Sequence, residues 1–169
     1  MKLLKSAIYL LNDIYKDKRL LMELSAKDVQ RRFSGTYFGM IWGLLQPLMT
    51  ILVYWAVFQF GFRSGDVGET PFALWFISGI ICWLFISEAF SLASNSLLEY
   101  SYLIQKVKFN VNILPLVKII SSLYIHLFFV AVVMIVCILF GYWPTVYTVQ
   151  LLYYMAATMI LVFGMSLLT

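Results

Sequence analysis

From Phe38 to Phe62 the chain runs 25 residues without a charged side chain. At about 1.5 Å of rise per helical residue, such a run is long enough to cross a hydrocarbon layer of roughly 30 Å. Backbone amides have no water to bond at that depth, so an apolar run of this length predicts a helix that satisfies its own backbone. Three more runs follow it. Phe72 to Ser94 is interrupted only by Glu88, Val111 to Phe140 by Lys118 and His126, and Tyr147 to Leu168 by no charged residue. The expectation is an all-α membrane protein, a single transmembrane domain over 1–169 with spans at 38–62, 72–94, 111–140 and 147–168.

The charges that remain support the same class. Only 12% of the residues are charged and 63% are apolar, too little charge to cover the surface of a soluble domain of this length. A cytoplasmic enzyme, a secreted disulfide scaffold and a nucleic-acid-binding domain are excluded. The net charge of +4 is no footprint for nucleic acid, because the basic residues flank apolar runs and report topology. Of the twelve, ten fall in residues 1–36 and in the 95–110 connection, against Arg63 alone in the outer turns. That bias predicts a cytoplasmic N-terminus. Cys82 and Cys137 lie inside apolar runs as small hydrophobes.

Residues 1–36 are expected to lie along the membrane surface. Leu3, Leu4, Ala7, Ile8, Leu11, Ile14 and Tyr15 recur at helical spacing, while Lys2, Lys5, Asp13, Lys16 and Asp17 occupy other faces. The absence of a small-residue cleavage pattern argues against a signal peptide. A second short helix is expected to begin at Ser25, where Ser25-Ala26-Lys27-Asp28 has the form of a capping box. Arg63 to Pro71 reads as a short polar turn, and Gly141-Tyr142-Trp143-Pro144 as a second turn with an aromatic anchor.

Polar groups inside apolar runs are costly and narrow the candidates. Glu88 lies about nine residues from one end of its span and Lys118 about eight from the start of the next, so both sit about 12 to 13 Å deep. Matched depth and opposite sign predict a buried pair; Lys118 snorkelling to the interface and Glu88 facing a wet cavity are the alternatives. His126 reads as a neutral core histidine. Gly35, Gly39 and Gly43 are spaced by four, the pattern of a close helix contact that continues through Pro47. The aromatics crowd the first hairpin, where an interfacial belt is the default; Tyr54 and Phe58 are candidates for lining a substrate path. No phosphate-binding loop, zinc-spaced ligand set or paired carboxylate site is present in the sequence, so the chain is not expected to hydrolyse ATP, to bind a cofactor or metal, or to act as an enzyme.

Two segments carry a resemblance. Asp28-Val29-Gln30-Arg31-Arg32-Phe33-Ser34-Gly35-Thr36-Tyr37-Phe38-Gly39-Met40-Ile41-Trp42-Gly43-Leu44-Leu45-Gln46-Pro47-Leu48, and Leu103-Ile104-Gln105-Lys106-Val107-Lys108-Phe109-Asn110-Val111-Asn112-Ile113-Leu114-Pro115-Leu116, resemble the permease subunits of bacterial ABC-type polysaccharide exporters, which move O-antigen, capsule or teichoic acid chains. Asn110 stands where many members have proline. The resemblance implies a six-span permease of the bacterial cytoplasmic membrane, working as a homodimer with ATPase subunits that bind ATP and Mg, and passing a lipid-linked glycan. Four spans are legible here, so the last two are expected to be missing.

On that footing the 95–110 connection resembles a coupling loop, with Glu99, Tyr100, Tyr102, Gln105 and Lys106 facing the ATPase. Lys16, Lys18, Arg19, Arg31 and Arg32 either steer an anionic head group or anchor the chain to membrane lipids. A drug or lipid efflux permease of the same type, and a membrane scaffold without transport activity, are the competing readings.

Overall fold

A computed structural model describes residues 18–34, 39–68, 70–100 and 113–168. Over these it is all-α. Helix α1 covers Lys18–Phe33, α2 Met40–Ala56, α3 Phe72–Glu99, α4 Ile113–Leu139 and α5 Gln150–Ser166. A π turn, Val57–Gly61, extends α2, and a 3-10 turn, Val146–Val149, leads into α5. Four helical segments are long and apolar enough to cross a membrane: Ile41–Gly61, Phe72–Glu99, Ile113–Leu139 and Val146–Ser166.

The helix ends follow from local chemistry. Pro71 precedes the first turn of α3, where a missing N–H costs nothing, and Asp66 Oδ1 accepts from Phe72 N at 3.2 Å. The hairpin before it is closed by a pair of backbone bonds between Val67 and Thr70. At the end of α4, Gly141 takes φ 87°, and Gly141 N and Tyr142 N bond Ile138 O and Cys137 O at 3.0 and 2.9 Å. Two otherwise orphaned carbonyls are satisfied, which requires a residue that tolerates positive φ. Helix α3 continues five residues past the expected end at Ser94. Asn95 and Ser96 return side-chain bonds to Ser91 O and Ala93 O, so these polar residues continue the helix instead of opening a loop.

The α3–α4 contact is the most extensive among the described helices. Ile81 packs with Ile125 and Phe129, and Ala89 and Ala93 pack with Ile119, so the two helices run antiparallel. Ala89 and Ala93 have no exposed surface; small side chains here allow close approach. Val162 of α5 enters the same cluster, while Ile51 of α2 joins the cluster around Ile81. Much of the remaining surface is apolar, including Trp75, Trp83, Leu139 and Ile160. A face of this kind is stable against lipid and a liability in water.

Helix α1 is one continuous helix through Ser25, not a new helix starting there. Ser25 is buried, and its hydroxyl bonds back to Leu21 O at 2.7 Å. The Ser-x-x-Asp pattern is therefore not a cap. Leu21, Ser25 and Asp28 form the buried face, with Leu21 against Ile113 and Val117 of α4. The Gly35, Gly39, Gly43 expectation also changes. Gly35 lies outside the described residues, and Gly39 sits before α2 at φ 53°, so Gly39 and Gly43 are not two positions on one helical face. Among the described residues a Cβ at Gly39 would meet nothing within 4 Å; it is the turn at φ 53° that needs glycine's backbone freedom. Gly43 is buried within α2.

Candidate functional site

The charged side chains that face inward gather where α1 crosses the end of α3 and the start of α4. Lys118 Nζ lies 2.7 Å from Asp28 Oδ1 and 2.7 Å from Glu99 Oε2. The Tyr100 hydroxyl donates to the same Asp28 oxygen at 2.6 Å. The Lys118 ammonium also stands 5.0 Å from the centre of the Tyr100 ring, and Arg31 covers that ring at 5.9 Å. The side chains of Asp28 and Lys118 are 2% and 3% exposed. Burial alone pushes the Asp28 carboxyl up, but the hydrogen bonds from Lys118 and Tyr100, with the charge of Lys118, outweigh it and hold the group below its ordinary value of 3.8. Burial and then the bond to Asp28 push the Tyr100 hydroxyl above its ordinary 10.0, so the ring keeps its proton and remains a donor. Two carboxylates around one ammonium, with a phenol bridging, make a compensated buried ion cluster.

This arrangement corrects the expected Glu88–Lys118 pair. Lys118 is held by Asp28 and Glu99, and Glu88 pairs with Arg32 instead. Depth was matched only between spans; α1 brings its own acid and base to that level, and each captures one partner. The basic set is divided in the same way. Lys18 and Arg19 are exposed, with Arg19 bonded to Glu23 at 3.0 Å, whereas Arg32 turns inward to Glu88. Lys16 lies outside the described residues.

The expected ATPase-facing set is divided too. Tyr100 is 5% exposed and its ring faces the cluster, so it is turned away from a partner, whereas Glu99 pairs with Lys118 while its side chain stays 39% exposed. Tyr102, Gln105 and Lys106 lie outside the described residues. Asp28, absent from every expected site, is the centre of the cluster. The sequence signal was available: Leu21, Ser25, Asp28 and Arg32 share one helical face, and Asp28 is the acid among Lys27, Arg31 and Arg32.

Beside the Arg32–Glu88 pair, a cleft of about 360 Å³ opens between α2 and α3, lined by Gln46, Thr50 and Ser87 with Gly43 and Pro47. A second cleft of about 600 Å³ is aromatic, with Phe58, Phe72, Trp75, Phe76 and Trp83 on its walls. Phe58 is thus in a cleft, its ring tilted against Phe62, Phe72 and Phe76 at 5.5 to 6.3 Å between centroids; Tyr54, near the end of α2, is exposed and lines neither cleft. His126 is buried and stacks on Phe85 at 4.5 Å. It shares a cavity of about 20 Å³, room for about one water, with Glu88 and Pro47. Among the described residues, no three His, Cys, Asp or Glu side chains group to hold a metal.

No family model matches the chain. It is 25% identical over 162 residues to the O-antigen export system permease protein RfbA of Myxococcus xanthus, covering 91% of this chain and 61% of that protein. Two Klebsiella pneumoniae proteins of the same name are 27% identical over 100 residues and 24% over 129, covering 57% and 75% of this chain, and 36% and 48% of those proteins. The chain therefore spans less than two thirds of the length of these relatives. They bear out the resemblance carried by the segments at 28–48 and 103–116. Four helices among the described residues long and apolar enough to cross a membrane and these relatives together identify a multi-pass membrane protein similar, over 91% of its length, to one O-antigen export permease.

Proposed function

We propose that the chain is the transmembrane permease component of an ATP-driven exporter that moves a lipid-linked polysaccharide across the bacterial cytoplasmic membrane. The similarity to O-antigen export permeases through 162 residues carries this proposal. ATP and Mg are bound by a separate ATPase subunit, and two permease copies form the path. The bias of Lys and Arg toward residues 1–36 and 95–110 supports a cytoplasmic N-terminus, with the 101–112 segment on the same side as the ATPase. Within that segment, Tyr102, Gln105 and Lys106 form the docking face. Glu99 and Tyr100 support it from behind through Lys118 and Asp28. Phe58 and the aromatic cleft lie toward the opposite end of α2 and α3, where an apolar platform suits a passing sugar ring.

The test is affinity purification of the full-length permease with its co-expressed ATPase. The wild-type protein is expected to retain the ATPase, and Tyr102→Ala with Lys106→Glu to lose it while remaining folded in the membrane. Retention of the ATPase and normal export by that double variant would overturn the docking assignment.

A further inference from the structure

The described residues show how the two helix ends that flank residues 101–112 are held. Glu99 and Tyr100 close α3, and Lys118 lies in the second turn of α4. All three converge on α1: Glu99 reaches Lys118, and Lys118 and Tyr100 both reach one oxygen of Asp28. Asp28 is thereby a side chain of α1 that bonds to both flanking helix ends at once. Its apolar neighbours do less. Leu21 packs with Ile113 and Val117 of α4, and hydrophobic contact is non-directional, so it permits sliding that a buried ion cluster with fixed bond geometry resists.

We propose that Asp28 is a positioning residue that locks α1, the end of α3 and the start of α4 into one rigid unit, so that force applied by a partner to residues 101–112 moves α1 with the spans. This rests on the proposed docking of an ATPase at that segment. A displacement there has two exits, along α3 and along α4. Without Asp28 the Glu99–Lys118 pair still ties the two helix ends together and α1 stays behind; with it, all three move together. Removing the acid leaves Lys118 with Glu99 and leaves Tyr100 without its acceptor, so α1 keeps its Arg32–Glu88 tie, the Arg31 contact over the Tyr100 ring and its apolar contact but loses the buried hydrogen bonds of Asp28 to the flanking ends.

The experiment uses the full-length permease with its ATPase in lipid nanodiscs, comparing wild type, Asp28→Asn and the double variant Asp28→Leu with Lys118→Met, which strands no buried charge. Hydrogen exchange of α1 and of the start of α4 is followed by mass spectrometry, and glycan export per ATP hydrolysed is measured alongside. In wild type the two segments are expected to be protected together, both without nucleotide and with the ATPase trapped by vanadate. In Asp28→Asn, exchange of α1 is expected to rise at least about tenfold while α4 stays protected. Export per ATP is expected to fall about fivefold or more with the ATPase still bound. If Asp28→Asn fails to fold, the double variant is expected to fold and to show the same loss of export per ATP.

Unchanged α1 exchange together with unchanged export per ATP in the folded variants would overturn the lock. So would a wild-type α1 that loses protection independently of α4 when nucleotide is trapped. Failure of the wild-type permease to retain any ATPase would instead overturn the docking assignment, and the exchange of the permease alone would still decide whether Asp28 ties α1 to the flanking helices.

Discussion

Replacing Asp28 with Leu leaves the Lys118 ammonium, 3% exposed, with Glu99 alone. The most that a stranded lysine can cost at pH 7 is the free energy of shedding its proton, about 3.4 pH units at 1.36 kcal/mol each, or about 5 kcal/mol. Glu99 survives at 2.7 Å but is 39% exposed, so it recovers part of this and the expected loss is about 3 kcal/mol. Lys118→Met strands Asp28 beside a phenol, and the corresponding limit for protonating a carboxylate is about 4 kcal/mol. Together the two changes remove the charges that need each other. The double variant should lose only about 1 to 2 kcal/mol, owed to the Tyr100 hydroxyl left without its acceptor. For a domain of this size the singles correspond to falls in Tm of about 6 to 16 °C. The assay is thermal unfolding of the purified protein in detergent, followed by tryptophan fluorescence and circular dichroism. A double variant that loses about the sum of the singles, near 7 kcal/mol, would refute the claim that the pair is mutually dependent.

Other consequences are open to direct measurement. Because the folded-state pKa of Asp28 is lowered, the stability contributed by its ionisation is fully present above its ordinary value of 3.8 and is lost as pH falls through the lowered folded value; melting curves from pH 6 down to 3 should show this acid limb in wild type and a weaker one in Asp28→Asn. Gly141→Ala forces a Cβ into φ 87° and should cost about 1 to 2 kcal/mol, read as a lower Tm with unchanged helix content. Exchanging the charges as Arg32→Glu with Glu88→Arg should restore expression and melting relative to either single change, whereas exchanging Glu88 with Lys118 should not; rescue by the second exchange would contradict the pairing in the structure.

The spans were legible because charge is expensive in hydrocarbon: four runs with almost none must be the buried-in-lipid part, and four helices of spanning length occupy them. Gly141 was legible as a turn for the same reason that it ends α4, its tolerance of positive φ. What local reading missed is contact between elements far apart in sequence. Ser25 and Asp28 fit a capping box on paper, yet Asp28 is 90 residues from Lys118 and 72 from Tyr100; the shared face of Leu21, Ser25, Asp28 and Arg32 marks it as inward, but nothing local names its partners. Glu88 and Lys118 were matched by depth, a one-dimensional measure blind to α1, which supplies Arg32 to one and Asp28 to the other. Tyr100 is expected to face a partner because the 95–110 connection resembles a coupling loop; its hydroxyl is instead the donor that a buried carboxylate requires.

The central claim is export of a lipid-linked polysaccharide, and deletion of the gene tests it most directly. Extracts from the deletion strain, and from the strain complemented with the full-length gene, are resolved by gel and stained for glycan, with surface and intracellular fractions separated. The account predicts that the deletion removes the polysaccharide from the surface while its lipid-linked form accumulates on the cytoplasmic side, and that complementation reverses both. Normal surface polysaccharide in the deletion strain, with no accumulation inside, would contradict it.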